Sequence, residues 1–352
     1  RIQGPTLPGA TATINRGTTT FNVVEFYNAD DVTFDSLTLT GGVHAIWAGS
    51  AGGAERFTLT NSTITGNSSW GINWSGGNEA ARFVGNTFAN NDWGIVTGAL
   101  RSVIEDNLFV FNSSGGIWIR SGGGTRADWL TVRNNRVLDS IGTGISVEGG
   151  ALVIANEVTG HTSWGISVTT SAAEVRDNEV YGNRSGIQVG PALIAGNRVY
   201  ANTDAGLDNY NAGVMEGNII YANAVGIRNG DGAVIRNNVI YNNTAAGIIV
   251  GGIADAGDGL FNNTIVQATG DAVQLAGSAR NVVLRNNILG AASGYAINVG
   301  SANQVGFQSD FNLFWLTGTG RVGFWENRAF ATRLDWSLEL GHDQESVEAD
   351  PQ

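Results

Sequence analysis

Ile235-Arg236-Asn237-Asn238-Val239-Ile240-Tyr241-Asn242-Asn243 decides the fold, because the chain keeps repeating it. Val175-Arg176-Asp177-Asn178-Glu179-Val180-Tyr181-Gly182-Asn183 is the same phrase with small changes. The second asparagine of its Asn237-Asn238 pair recurs at Asn86, Asn107, Asn135, Asn156, Asn178, Asn197, Asn218, Asn238, Asn263 and Asn287, spaced 19 to 28 residues apart. A second phrase interleaves with it: Gly71-Ile72, Gly94-Ile95, Gly116-Ile117, Gly144-Ile145, Gly165-Ile166, Gly186-Ile187, Gly226-Ile227 and Gly247-Ile248. Self-similarity at a period near 21 residues is the mark of a repeat architecture.

Each unit reads as three short strands of alternating apolar residues, split by turns rich in Gly, Asn and Asp. A unit this short cannot close a core alone. Stacking coils at a strand spacing of about 4.8 Å buries the alternating Ile, Val and Leu. The expectation is an all-β, single-stranded right-handed parallel β-helix: a three-sheet solenoid of about 12 coils with a small C-terminal cap. The recurrent Asn has a physical reason. At a tight bend it tolerates the left-handed conformation, and its amide can bond the equivalent amide one coil away, satisfying groups that a buried turn would orphan. Most of the sequons at Asn61, Asn67, Asn73, Asn112 and Asn183 follow from this repeat, with glycosylation as the alternative reading.

Composition excludes several classes of function. The 352 residues contain no Cys, so disulfides and thiolate metal sites are ruled out. All 19 basic residues are Arg, which removes any mechanism based on a lysine. A net charge of −12 disfavours nucleic acid and anionic membranes as partners. No apolar run approaches the ~18 residues of a membrane helix, and Arg1-Ile2-Gln3-Gly4 reads as strand, as expected of a mature or trimmed chain.

With these repeats in hand, the sequence resembles the parallel β-helix repeat superfamily, which includes pectate lyases, polygalacturonases and alginate-modifying enzymes. The resemblance spans nearly the whole chain. It implies a fold more than an activity, because one superfold hosts many chemistries. Ser309-Asp310-Phe311-Asn312-Leu313-Phe314-Trp315, then Trp325, Gly341-His342-Asp343, Ser346 and Asp350-Pro351, are similar to the ending of bacterial extracellular β-helix proteins. Leu334 to Leu340 reads as a short helix stopped by Gly341, laying Trp336 over the last coil. The expected division is a β-helix over 1–308 and a cap segment over 309–352. Both ends read as cut from, or docked onto, something longer.

In the enzymes of this superfamily, substrate lies along the sheet that here holds the Gly-Ile strands. Side chains one position after each Ile point outward: Trp47, Asn73, Val96, Trp118, Ser146, Ser167, Gln188, Asp208, Arg228, Ile249, Gln274 and Asn298. Arg120, Glu148 and Tyr210 follow two positions further on. The polar members fall in two groups, Trp118 with Arg120 and Glu148, and Asp208 with Tyr210 and Arg228. Asp208, Arg228, Arg120 and Glu148 are the candidate catalytic residues. A carboxylate beside Arg can hold a uronate or act as base and charge neutraliser; the plainer alternative is a cross-coil salt bridge. Trp47, Trp118, Tyr210 and Asn73 are the candidate substrate contacts, since aromatic faces pack on sugar rings. Trp70 and Trp93, both two before Ile, are expected to stack. The swollen repeat at Ser121–Trp129 and the bulge at Gly251–Gly259 are loops of the kind that carry function on rigid scaffolds.

Several family activities are missing their residues. Asn202-Thr203-Asp204 resembles the start of a polygalacturonase motif, but the Asp-Asp pair and the Gly-His-Gly of that family are absent. So are the lysine of chondroitinase-type lyases and the Asp-Pro-His of alginate epimerases. No metal site is expected: His44, His161 and His342 have no ligand spacing, and the carboxylates Asp231, Asp255 and Asp258 are scattered for calcium. No cofactor is expected either, with Ca2+ as the alternative. The reading is a secreted or cell-surface, carbohydrate-associated protein that binds a polysaccharide along the Gly-Ile sheet. Whether it also cleaves stays open, with a lyase favoured over a hydrolase. The alternative is a non-catalytic structural or adhesin module, or a self-assembling surface subunit whose open strand edges stack head to tail.

Overall fold

The computed structural model describes residues 1–5, 10, 12–50, 53–120, 124–255 and 257–351. Thr11, Ser121 to Gly123 of the swollen repeat and Ala256 of the bulge lie outside them. The chain divides into two compact units, Arg1–Asn183 and Arg184–Gln352. Both are built from the same parallel coil, and together they make about 13 turns, close to the expected dozen.

In the first unit, one coil consists of Thr58–Thr60, Thr63–Thr65 and Ile72–Trp74, and the next of Arg82–Val84, Thr87–Ala89 and Trp93–Thr97. Each strand pairs in parallel with its equivalent one coil away. Three sheets result; in the first two the middle residue of each short strand points inward, and Leu59, Ile64, Phe83 and Phe88 are fully buried, whereas in the third Ile72 and Trp74 are buried and Asn73 between them faces out. Near its start the core is filled by aromatic rings, with Phe57 stacked on Trp74 at 4.8 Å. The second unit repeats the pattern with aliphatic residues, Ile220 on Ile240 on Ile265. The Gly of each Gly-Ile pair is required by space. A Cβ on Gly116 would lie 2.4 Å from Val137 Cγ1, and one on Gly226 would lie 2.6 Å from Ile240 Cγ2.

The asparagine columns form as expected. In the first unit Ser62, Asn86, Asn107, Asn135 and Asn156 each donate their backbone N–H to Oδ1 of the next ladder Asn at 2.9–3.0 Å, the last to Asn178. The side-chain Nδ2 of Asn86, Asn107, Asn135 and Asn156 donates to the same oxygen. In the second unit the column runs through Asn197, Asn218, Asn238, Asn263, Asn287 and Asn312. The backbone differs from expectation in one respect. The left-handed residue is not the ladder Asn but the one before it: Asp106, Asn134, Ala155, Asp177, Asn237, Asn262 and Asn286 have φ of 55 to 58°. The turn is made there, and the buried Asn is left free to bond.

A second column, not anticipated, lines the next corner. It holds Asn67, Asn91 and Asn112 in the first unit and Asn202, Asn223 and Asn243 in the second. His161 occupies a place in it, donating its N–H to Asn183 Oδ1 at 3.0 Å, with its ring against Val137 O. Burial lowers the His161 pKa.

At the end of the second unit, Gln308–Asp310, Leu313–Leu316 and Arg321–Trp325 still pair in parallel with the preceding coil. Arg328–Phe330 then folds back antiparallel on Arg321–Trp325. The expected helix follows over Arg333–Leu340, with Thr332 as N-cap and Gly341 left-handed at φ 74°. It buries Trp336 completely against Gly323, where a Cβ would lie 2.2 Å from the indole. Asp343, also buried, closes the first asparagine column. Its Oδ1 accepts from Ser309 Oγ, Ser346 Oγ and Asn312 Nδ2, and its Oδ2 accepts from Trp336 Nε1. The Gly-His-Asp…Ser motif is therefore the stopper of the ladder. Among the described residues no helix is long and apolar enough to cross a membrane.

Candidate functional site

The outward column of the third sheet has the predicted register in each unit. In the first unit Trp47, Asn73, Val96, Trp118, Ser146 and Ser167 align one per coil. Trp118 is the hub. Trp93 lies 5.5 Å from it and Trp70 6.2 Å from it edge-on, so each meets Trp118 rather than stacking on the other. His44 continues the surface, stacked on Trp70 at 5.2 Å, with Nδ1 accepting the Trp70 N–H. Burial lowers the His44 pKa, so this ring stays neutral.

Arg120 is exposed, and its guanidinium lies over Trp118 at 4.6 Å and Trp70 at 5.6 Å. Among the described residues it forms no ion pair with Glu148, although the two are adjacent in sequence register; Glu148 is exposed. Arg120 borders a cleft of about 140 Å³ lined also by Asn73, Val96 and Thr97. The Asn73 carboxamide makes no hydrogen bond to any described residue, and Trp118 Nε1 is buried without a partner. Trp47 stands apart from this group, its ring 5.6 Å from Tyr27.

In the second unit the column reads Gln188, Asp208, Arg228, Ile249, Gln274 and Asn298. Asp208 and Arg228 meet as the period predicts: Nη1 donates to Asp208 Oδ2 at 2.7 Å. Arg228 also forks onto Asp204, with Nη2 donating to Oδ1 at 2.6 Å. The sequence reading did not join Asp204 to this pair, because it sits at the corner before the strand, outside the outward column. Tyr210 is 56% exposed, and its hydroxyl donates to Asp208 Oδ2 at 3.0 Å. Asp208 itself is 1% exposed, and its Oδ1 is buried with no partner. Burial pushes the Asp208 carboxyl pKa up against the pull of Arg228 and Tyr210. Asp204 is held low by its bond to Arg228. Burial and the Asp208 charge raise the Tyr210 hydroxyl.

The model of the right-handed beta helix region matches residues 12–137 and 123–256, most of the chain. The chain belongs to the right-handed beta helix family. A second family, described as periplasmic copper-binding protein (NosD), matches residues 206–307 of this beta helix. That span contains neither His nor Cys, and its one Met, Met215, is buried in the core. Among the described residues no group of three or more His, Cys, Asp or Glu is placed to hold a metal. The residues do not suit copper, which favours imidazole and sulfur.

No curated protein matches the chain. Among solved structures, the beta helix is similar to the Dettilon tailspike protein, with 13% identity over 84% of this chain, 62% of that one and a TM-score of 0.43. It is also similar to the A-module of a mannuronan C-5 epimerase from Azotobacter vinelandii, with 14% identity over 94% and 88% of the two chains and a TM-score of 0.42. A third is the catalytic domain of a GH87 alpha-1,3-glucanase in complex with nigerose, with 12% identity over 100% and 63% and a TM-score of 0.39. The chain thus spans less than two thirds of the tailspike and of the glucanase. These likenesses go no further than the fold already described.

Proposed function

We propose that the protein binds a polysaccharide outside the cell or at its surface, with the chain lying on the third-sheet face of residues 1–183. One observation carries this reading: Trp70, Trp93 and Trp118 converge on a half-buried surface, with Arg120 stacked over two of the rings beside a cleft holding the unengaged Asn73 amide. Indole faces pack on the apolar faces of pyranose rings, while the amide and guanidinium meet hydroxyl or acidic groups. An aromatic cluster of this kind left open to solvent marks an interaction site.

The test is affinity electrophoresis through gels loaded with individual polysaccharides. Trp118→Ala and Asn73→Ala are expected to weaken retardation at least tenfold in apparent Kd. Unchanged mobility for both variants would remove this face from consideration. Asp208, in residues 184–352, is no part of that face: at 1% exposure it is closed off from solvent, and it holds Arg228 and the Tyr210 hydroxyl in place. The exposed Glu148 is the carboxylate that separates cleavage from binding. If the protein turns over its ligand, Glu148→Gln abolishes product release and leaves affinity unchanged.

A further inference from the structure

The outward face of the second sheet in residues 184–352 carries a feature that the glycan-binding reading does not use. Tyr200, Tyr221 and Tyr241 stack one per coil, with centroids 4.9 Å apart and ring planes within 8°. The next positions in this column are Val266, Gly290 and Trp315. At Gly290 the side-chain layer is missing, and the Trp315 indole overhangs the gap: a Cβ added to Gly290 would lie 3.4 Å from its Cε3. A cleft of about 200 Å³ opens there, lined by Asn242, Val266, Gln267, Ala292, Trp315 and Thr317.

The polar groups around this cleft are unspent. Among the described residues nothing accepts from Trp315 Nε1, and neither the Thr317 hydroxyl nor the Asn242 carboxamide has a partner. Gln267 holds the place of a ladder Asn, and its Oε1 accepts the Asn243 N–H at 2.9 Å. Its register partner in the next coil is Ala291, and its Nε2 turns inward toward Gly247, so Gln267 gives the cleft a wall and no hydrogen-bonding group. No charged residue lines the cleft. An aromatic wall, small alanines and a rim of neutral donors and acceptors suit a ligand with an apolar face and a ring of hydroxyls. The volume is below the ~300 Å³ of drug-sized pockets and admits a single ring.

We infer that this cleft is a second subsite, taking one uncharged pyranose ring of a neutral glycan against Trp315. It is independent of the Trp118 face and stands whether or not that face binds. The experiment is calorimetric titration of cellohexaose, maltohexaose, mannohexaose and xylohexaose into the Trp118→Ala protein, in which the other face is disabled. At least one of these sugars is expected to bind Trp118→Ala. Adding Trp315→Ala is expected to weaken that binding tenfold or more, and Thr317→Val, which keeps the shape, threefold or more. Ala292→Leu, which fills the cleft and leaves the indole in place, is expected to abolish it. The inference is overturned if no neutral hexaose binds Trp118→Ala. It is equally overturned if Thr317→Val and Ala292→Leu, folded by circular dichroism, bind as tightly as their parent.

Discussion

At the scale of single residues, the telling case is a buried carboxylate on a face that is otherwise solvated. Burial raises the Asp208 pKa, and Arg228 and the Tyr210 hydroxyl, both donating to Oδ2, act against it in favour of the charged form. Removing the cation alone strands that charge. Arg228→Gln is therefore expected to cost about 3–5 kcal/mol in urea denaturation, and Asp208→Asn in the same background should restore much of it. A cycle with additive effects would show that the pair does not interact. Glu174 gives the opposite sign. Its bond to Arg126, helped by Arg176, lowers its pKa from 4.5 to about 2. A depressed carboxylate adds stability that is complete above the unfolded value and is lost as pH falls. The melting temperature should thus decline between pH 4.5 and 2, and Glu174→Gln should flatten that decline. The sequence disclosed Asp208 and Arg228 because they share one column at one period. It did not join Asp204, which reaches Arg228 from a corner, to that pair, and it paired Arg120 with Glu148 although the guanidinium finds two indole faces nearer.

At the scale of the element, the coil corner divides its work between two consecutive residues. The first turns the chain and the second bonds along the stack. Repetition in the sequence betrayed the second residue through its constant identity. The first escaped notice because Gly, Asp, Asn and even Ala fill it, and only the backbone reveals what they share. Ala155 sits there at φ 55°, a conformation that costs a residue with a Cβ about 1–2 kcal/mol. Ala155→Gly, ordinarily destabilising in a strand-rich fold, should instead stabilise by up to about 1 kcal/mol. The neighbouring role is much less forgiving. Asn135→Ala would orphan the buried Asn107 N–H and take the Asn107 Nδ2 group's acceptor in the next coil away. A loss of about 2–4 kcal/mol is expected from unpaired buried groups. Equal midpoints in denaturant for these two variants would contradict this division of labour.

At the scale of the molecule, the cap decides how the second unit ends. Asp343 is acceptor-only, and it receives three donors on one oxygen and the Trp336 indole N–H on the other. Asp343→Ala should release the helix at Arg333–Leu340 and expose the strand edge beneath it. The expected result is faster amide exchange in residues 308–348 and new oligomers in light scattering. Retained protection there would assign the cap's hold to Trp336 alone. The motif carrying Asp343 was visible in the sequence, but its purpose was not, since nothing in a linear pattern says that a distant column of amides needs an acceptor to finish on.

The amide column also has a direction. Asn86, Asn107, Asn218 and Asn238 each donate from the backbone N–H and from Nδ2 to the amide oxygen of the C-terminal neighbour, while Nδ2 also donates to a carbonyl of the preceding coil. A chain of identical links with one stopper is indifferent to the number of links. Genetic gain or loss of a whole coil would pass unnoticed by the hydrogen bonds, whereas a shift of a few residues at a corner would break the relay. Proteins of this design are thus free to drift in length, but only in steps of one turn.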